Sequence, residues 1–147
     1  MSFVKVKRIR EFDWALPDYE TAGAAGMDVR AVIDTEKLIV KPMARVLVPT
    51  GLSLEIPCGY EMQIRPRSGL ALKHGVTMAN APGTIDSDYR GEIGVILINL
   101  GDSDYIVEHG ARIAQMVLAP VTRCVWIDAD DLEDTERGAG GFGSTGQ

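Results

Sequence analysis

Alternation of apolar and polar residues with a period of two is the feature that most constrains how this chain can fold. Apolar side chains occupy every second position in segments 52–56 and 60–64, and Val4 and Val6 alternate with lysines near the start. Successive side chains of a β-strand point to opposite faces, so this period predicts strands with one buried face.

Further segments predict strands or a helix. Gly94–Leu100 is a continuous apolar run, which is typical of a strand covered on both faces, and Arg112–Ala119 and Arg123–Ile127 also favour strands. Turn residues separate these segments at intervals of about 8–12 residues, the spacing of a β-sandwich or barrel. Only Gly69–Lys73 favours a helix, which Ser68 would cap and Gly75 would end.

Composition excludes several classes of protein. The 147 residues, of which 46% are hydrophobic, suffice for one domain with a real core. A net charge of −6 argues against binding nucleic acid over a wide surface, because such binding needs many cations. No run approaches the ~18 apolar residues of a membrane helix. The charged, alternating start contains no apolar signal segment, so we expect a cytoplasmic protein with no membrane partner.

The few cysteines and histidines exclude other chemistries. Cys58 and Cys124 are too few and too distant for a disulfide framework or a zinc knuckle, and we expect two buried free thiols. His74 and His109 show no metal-ligand spacing. A zinc site held by the protein and a histidine-based nucleophile are therefore disfavoured.

Pro66–Gly69 lies where a predicted strand meets the short helix. The unpaired N–H groups at a helix start carry positive dipole and suit an oxyanion. Ser68 adds a hydroxyl donor, and Arg67 adds a planar cation that matches phosphate. A phosphate site and a capped helix with a surface arginine are equally good interpretations of this motif alone.

Asn80–Gly91 lies between two strand-like runs and predicts a hairpin with Asp86 and Asp88 near its tip. A carboxylate there could act as a general base toward water. Asn80 has a donor and an acceptor that suit the edge of a base, and Tyr89 offers a flat face to a sugar. Ordinary turn chemistry is the alternative, and we favour it for Asp88.

The chain ends in a glycine-rich segment: five of the 16 glycines in the whole chain fall between residues 138 and 146. Glycine N–H groups can form a nest around phosphate, and Phe142 could stack on a base. Only one large apolar residue is present, so we expect a mobile arm at 137–147 after a single domain at 1–136. A solvated linker is the alternative.

One further segment contains a possible metal or phosphate partner. Ala24–Ala31 is rich in small residues and contains Asp28, which could orient Arg67 or a hydrated cation, or form only a local ion pair. Neither a Walker A loop nor a GxGxxG turn after a strand is present, which disfavours ordinary nucleotide-binding folds.

Together these segments resemble the trimeric dUTP diphosphatase (dUTPase) family. Five motifs occur in the family's order and spacing: GMDVRA at Gly26–Ala31, PRSGLA at Pro66–Ala71, NAPGTIDSDYRGEIG at Asn80–Gly94, GARIAQM at Gly110–Met116 and RGAGGFGSTG at Arg137–Gly146. Each motif alone is a modest signal, whereas all five in order are highly specific.

The resemblance implies an all-β subunit with a jelly-roll-like β-sandwich (β-clip) fold, one short helix and a flexible C-terminal arm. It implies a homotrimer with active sites at the subunit interfaces. The implied reaction is hydrolysis of dUTP to dUMP and pyrophosphate with Mg²⁺, which keeps uracil out of DNA and supplies dUMP for thymidylate synthesis.

The same resemblance implies a role for each matched residue. Asp86 would activate the water that attacks the α-phosphorus, and Tyr89 would pack under the deoxyribose and exclude a 2′-hydroxyl. Asp28 would support the metal through water. The residues implied to read uracil are Asn80, Gly83, Thr84, Ile85 and Gly94, with Phe142 stacking on the base. Those implied to hold or close over the phosphates are Arg67, Ser68, Gly69, Gln115, Arg137, Gly143, Ser144 and Thr145.

One position departs from the family pattern, and two other functions stay open. Ala111 stands where the family usually has an acidic residue, so we expect Arg112 to be less firmly oriented. A dCTP deaminase of the same fold would need an acid that protonates cytosine, and no second candidate is evident. A nucleotide-sensing or partner-binding module is the non-enzymatic alternative, which an intact Asp86 disfavours.

Overall fold

The computed structural model describes residues 3–141. Within them the chain forms eleven strands and one short helix, which confirms the prediction of a β-rich fold. The strands are β1 Lys5–Arg8, β2 Met27–Arg30, β3 Lys37–Val40, β4 Arg45–Pro49, β5 Leu52–Glu55, β6 Tyr60–Arg65, β7 Val76–Met78, β8 Gly83–Ile85, β9 Gly94–Asn99, β10 Tyr105–Glu108 and β11 Arg112–Pro120. The helix, α1, spans Ser68–His74.

The strands pair in four groups around one core. The larger sheets have the orders β2-β11-β6-β8 and β4-β9-β7, and β1-β5 and β10-β3 form two-stranded sheets. A single hydrophobic cluster takes buried residues from every group, including Leu54, Ile64, Leu97 and Val107. The sheets therefore share one core, as expected of a sandwich-like fold.

Burial departs from the sequence prediction in three strands. In β1 all four residues are exposed, Val6 among them, although the alternation near the start predicts a half-buried strand. In β5, Ser53 is buried beside its apolar neighbours, because its hydroxyl donates a hydrogen bond to the Arg90 carbonyl at 2.7 Å. In β9, burial alternates between full and partial, so only one face is covered completely. The fully covered face includes Asn99, whose amide donates to the carbonyls of Val40 and Ser103.

The predicted hairpin over residues 80–91 is wrong in its path. Strand β7 pairs with β9 as expected, but β8 leaves them and pairs with β6 in the other large sheet. There Gly83 lies opposite Ile64 and Ile85 lies opposite Met62. The motif thus connects two sheets, and β8 is the edge strand of its own sheet.

The helix is one residue longer at its start than predicted. Arg67 is the N-cap and makes no side-chain capping hydrogen bond, so Ser68 is the first helical residue and not the cap. Gly75 ends the helix as expected, with a φ of 66° and its N–H bonded to the Ala71 carbonyl.

The predicted strand at Arg123–Ile127 is absent. Residues 121–129 form no strand, and Val125, Trp126 and Ile127 are each about 90% exposed. A strand needs a neighbour to pair its backbone groups, and the described chain supplies none to this segment. The two thiols are also exposed, at Cys58 and Cys124, so their predicted burial is wrong.

Among residues 3–141, no helix is long and apolar enough to span a membrane.

Candidate active site

One part of the site is a carboxylate shared by two arginines. Asp28 projects from β2; its Oδ1 accepts a hydrogen bond from Arg67 Nε at 2.9 Å, and its Oδ2 accepts one from Arg112 Nη1 at 3.1 Å. The Asp28 side chain is only 22% exposed, so the ion pairs are partly shielded from water. Arg112 is thus hydrogen-bonded to Asp28, although Ala111 offers it no carboxylate.

The other predicted phosphate ligands lie beside this network. Gln115 on β11 lies opposite Asp28 in the sheet, and its amide donates to the Pro66 carbonyl at 3.1 Å. Ser68 and Gly69 are exposed at the start of α1, directly after Arg67. The structure therefore brings Asp28, Arg67 and Gln115 together, and Arg112 adds a second guanidinium, which also lies 3.9 Å from Glu20. This set suits a phosphate group.

A second part of the site surrounds Asp86, the residue that follows β8. A cleft of about 520 Å³ contains five of the predicted residues: Thr84, Ile85, Asp86, Tyr89 and Gly94. The Tyr89 hydroxyl donates to the Glu92 carbonyl at 3.0 Å, and its N–H donates to the Asp86 carbonyl at 3.2 Å. The Tyr89 ring and the Asp86 backbone are therefore held in the same turn.

Two predicted residues lie next to this cleft and do not line it. Gly83 is buried between Ile64 and the amide of Asn80, whose Nδ2 lies 3.4 Å from the position that a Gly83 side chain would take.

Asp86 and Thr84 also line a second cleft, of about 560 Å³, together with Asp88. Asp86 thus lies between the two clefts.

The two parts of the site are separate in one copy of the chain. Neither cleft that Asp86 lines contains Arg67, Ser68, Gly69 or Gln115. Arg137 is exposed, donates to the Gly140 carbonyl at 2.8 Å and lines neither cleft. The predicted residues Phe142, Gly143, Ser144 and Thr145 lie outside the described residues.

Sequence reasoning missed an ion pair at the rim of the first cleft. Arg10 Nε donates to Glu92 Oε1 at 2.7 Å and Nη2 donates to Oε2 at 3.1 Å, while Nη1 contacts Asp34 at 3.2 Å. The hydrogen bond and charge of Glu92 raise the pKa of Arg10 above its usual value. Arg10 lies outside all five motifs, so no sequence signal identified it.

No protein-only metal site is evident in the part of the chain that the structure describes. Within it, no three His, Cys, Asp or Glu side chains converge. Each Asp28 oxygen already accepts one hydrogen bond and keeps a second lone pair for water. This donor set fits Mg²⁺, which usually keeps several waters and binds through substrate phosphates.

Comparisons with known proteins agree with this geometry. The sequence profile of the dUTPase family matches residues 13–146. A deoxyuridine 5'-triphosphate nucleotidohydrolase from Sinorhizobium medicae is 63% identical over 132 residues, which cover 89% of this chain and 82% of that protein. One from Treponema denticola is 60% identical over 131 residues, or 89% of this chain and 90% of that protein.

A solved structure shares the fold over its whole length. The Staphylococcus bacteriophage 80alpha dUTPase with dUPNHPP is 25% identical, covers 100% of both chains and superposes with a TM-score of 0.83. This likeness confirms the predicted jelly-roll-like β fold. Because the family profile spans most of the chain and the curated relatives share about 60% of its residues, the chain belongs to the dUTPase family.

Proposed function

We propose that this protein hydrolyses dUTP to dUMP and pyrophosphate. The observation that carries the proposal is the cleft in which Asp86, Tyr89 and the edge strand β8 lie together. The names of the curated relatives and the dUPNHPP in the phage structure support the same substrate.

The edge strand suits recognition of uracil. Strand β8 pairs with β6 on one side only, so its outer N–H and C=O groups face away from the sheet. Backbone groups at fixed spacing can pair with the N–H and carbonyl edge of uracil much as they pair with a strand. A 5-methyl group would then crowd the strand, and the Tyr89 ring under the sugar would crowd a 2′-hydroxyl.

Asp86 is the proposed general base. It is exposed in the cleft and can accept a proton from the water that attacks the α-phosphorus. The Asp28–Arg67 network and Gln115 would hold the phosphates, and positioning of this kind supplies much of the catalysis in phosphate chemistry. Mg²⁺ bound to the substrate phosphates, with Asp28 supporting its water shell, would neutralise charge as pyrophosphate leaves.

The complete site is proposed to form in a homotrimer. The phosphate network and the Asp86 cleft do not share a cavity in one copy. The exposed apolar segment Val125–Ile127 needs a partner, and a second copy supplies identical, unpaired strand edges. Arg137 and the residues after it would then close over the nucleotide as an arm. A cytoplasmic location and a role in supplying dUMP are predicted for such an enzyme.

The proposal is tested by following the phosphorus chemistry directly. Purified protein is incubated with dUTP, UTP, dTTP or dCTP, with and without Mg²⁺, and followed by ³¹P NMR with an ammonia assay. We expect pyrophosphate chiefly from dUTP, faster with Mg²⁺, with kcat/KM at least about 100-fold above that for UTP. Ammonia release from dCTP would instead identify a deaminase, and binding of dUTP without turnover would identify a sensing module.

A further inference from the structure

We propose that Arg10 is a positioning residue which, through Glu92, holds Tyr89 in the orientation that selects deoxyribose. The inference rests on the proposed function, because it concerns how that site distinguishes dUTP from UTP. Arg10 and Glu92 both line the cleft that contains Asp86 and Tyr89. Neither has a role in the motif-based interpretation of the sequence.

Glu92 connects Tyr89 to the rest of the subunit. Its backbone carbonyl accepts the hydrogen bond of the Tyr89 hydroxyl at 3.0 Å. Its carboxylate accepts two hydrogen bonds from Arg10 and one from the Gly51 N–H, at 2.9 Å. A residue held at its side chain by three hydrogen bonds has little freedom to turn its carbonyl, so the Tyr89 hydroxyl has a fixed partner.

The space around the Tyr89 hydroxyl is equally restricted. A side chain at Gly91 would overlap the hydroxyl and ring of Tyr89, which shows that the tyrosine lies directly on the backbone of the turn. Tyr89 itself is 44% exposed, so only part of its surface is packed against the protein. Its tilt therefore depends strongly on where residues 91–92 lie.

Arg10 anchors this turn from a distant part of the chain. The segment before it is bound to the turn between β4 and β5, because the Ile9 N–H donates to the Gly51 carbonyl at 2.9 Å. The guanidinium is occupied by the carboxylates of Glu92 and Asp34, which leaves it poorly suited to bind phosphate. Its bidentate fork fixes an orientation as well as a charge, which a lysine would not do.

A purely structural role is the competing interpretation. Arg10 could fasten the N-terminal segment to the sheet without affecting Tyr89. Removal of the ion pair would then lower thermal stability and leave substrate selection unchanged. The ratio of kcat/KM for dUTP to that for UTP separates the two interpretations, because it cancels a uniform loss of folded protein.

The experiment compares Arg10→Met and Glu92→Gln with the wild type. Glu92→Gln keeps the backbone carbonyl and the size of the side chain. It therefore tests the same ion pair even if Arg10→Met fails to fold. Lys5→Met is the matched control, since it removes an exposed ion pair, Lys5 to Glu55 at 2.8 Å, between the same N-terminal region and β5. Melting temperature, kcat and KM are measured for both nucleotides.

We expect the dUTP/UTP selectivity ratio to fall about fivefold in both variants, mainly through a higher KM for dUTP, and to stay unchanged in Lys5→Met. The double variant should lose no more than either single variant, because both remove one interaction. A wild-type ratio in both variants, with a lower melting temperature, overturns the inference alone. A wild type that does not turn over dUTP overturns the proposed function and this inference together.

Discussion

At the scale of single residues, Asp86 and Asp88 offer a close comparison of two carboxylates. Asp86 lines both clefts beside β8, whereas Asp88 lines only the one that lacks Tyr89. We predict that Asp86→Asn lowers kcat by about 10²- to 10⁴-fold, the usual contribution of a general base, while a non-hydrolysable dUTP analogue binds normally by calorimetry. Asp88→Asn should keep kcat near the wild-type value. A fully active Asp86→Asn variant would remove Asp86 from the base role.

Asp28 allows a second test at this scale, on phosphate binding. It accepts hydrogen bonds from Arg67 and Arg112 on its two oxygens, and an asparagine there would turn an N–H₂ group toward one arginine. We expect Asp28→Asn to raise the KM for dUTP about tenfold. An arginine that Asp28 no longer orients would lose the geometry in which its guanidinium can bind a phosphate through two hydrogen bonds. Glu20→Gln is the control, because Glu20 is 75% exposed and lies 3.9 Å from Arg112. An unchanged KM in Asp28→Asn would show that the network is only structural.

At the scale of elements, the end of α1 is set by a close backbone crossing. Gly75 has a φ of 66°, and a side chain there would lie 2.6 Å from the nitrogen of Gly101, two residues after β9. Gly59 has a φ of 87° with nothing within 4 Å, so it isolates the effect of the conformation. We predict that Gly59→Ala lowers the free energy of unfolding by about 1 kcal/mol and Gly75→Ala by about 3 kcal/mol, measured by chemical denaturation. Equal losses would show that crowding against Gly101 contributes nothing.

The C-terminal segment is an element whose proposed role is closure over the nucleotide. Truncation after Glu136 removes Arg137 and the predicted ligands that follow it and leaves every strand in place. We expect kcat/KM for dUTP to fall about 10²-fold, because water exclusion and phosphate contacts are lost together. Truncation after Gly146, which removes only Gln147, is the control. A truncated protein with full turnover would refute closure by this segment.

At the scale of the whole molecule, local sequence patterns predicted individual strands well. They did not predict which distant parts of the chain come together. The period of two identified β5 and β6 because burial of one face depends only on neighbouring residues. The path of β8 was not predictable in this way, because its partner strand is set by long-range packing. The Arg10–Glu92 pair joins residues 82 positions apart, and no local pattern encodes such a contact.

The predicted strand at Arg123–Ile127 points to the assembly of the whole molecule. Its residues have the composition of a strand, and the absence of a partner in one copy explains why they stay exposed. Trp126 is 91% exposed, although burial of such a ring contributes about 3 kcal/mol to association. The proposed trimer, with this segment between subunits, would account for both the composition and the exposure.

Substitution of Trp126 therefore tests whether the active site is formed by more than one subunit of the proposed homotrimer. We expect the wild type to sediment at about three times its chain mass of 15.9 kDa, and Trp126→Glu to shift to smaller species. Turnover of dUTP should fall with the loss of trimer, because the Asp86 cleft and the Arg67 network would then lie on separate copies. Leu72→Glu, at another exposed apolar residue on α1, should leave the sedimentation of the protein unchanged. A monomeric wild type with full activity would show that one chain builds the complete site, and an intact trimer in Trp126→Glu would place the interface elsewhere.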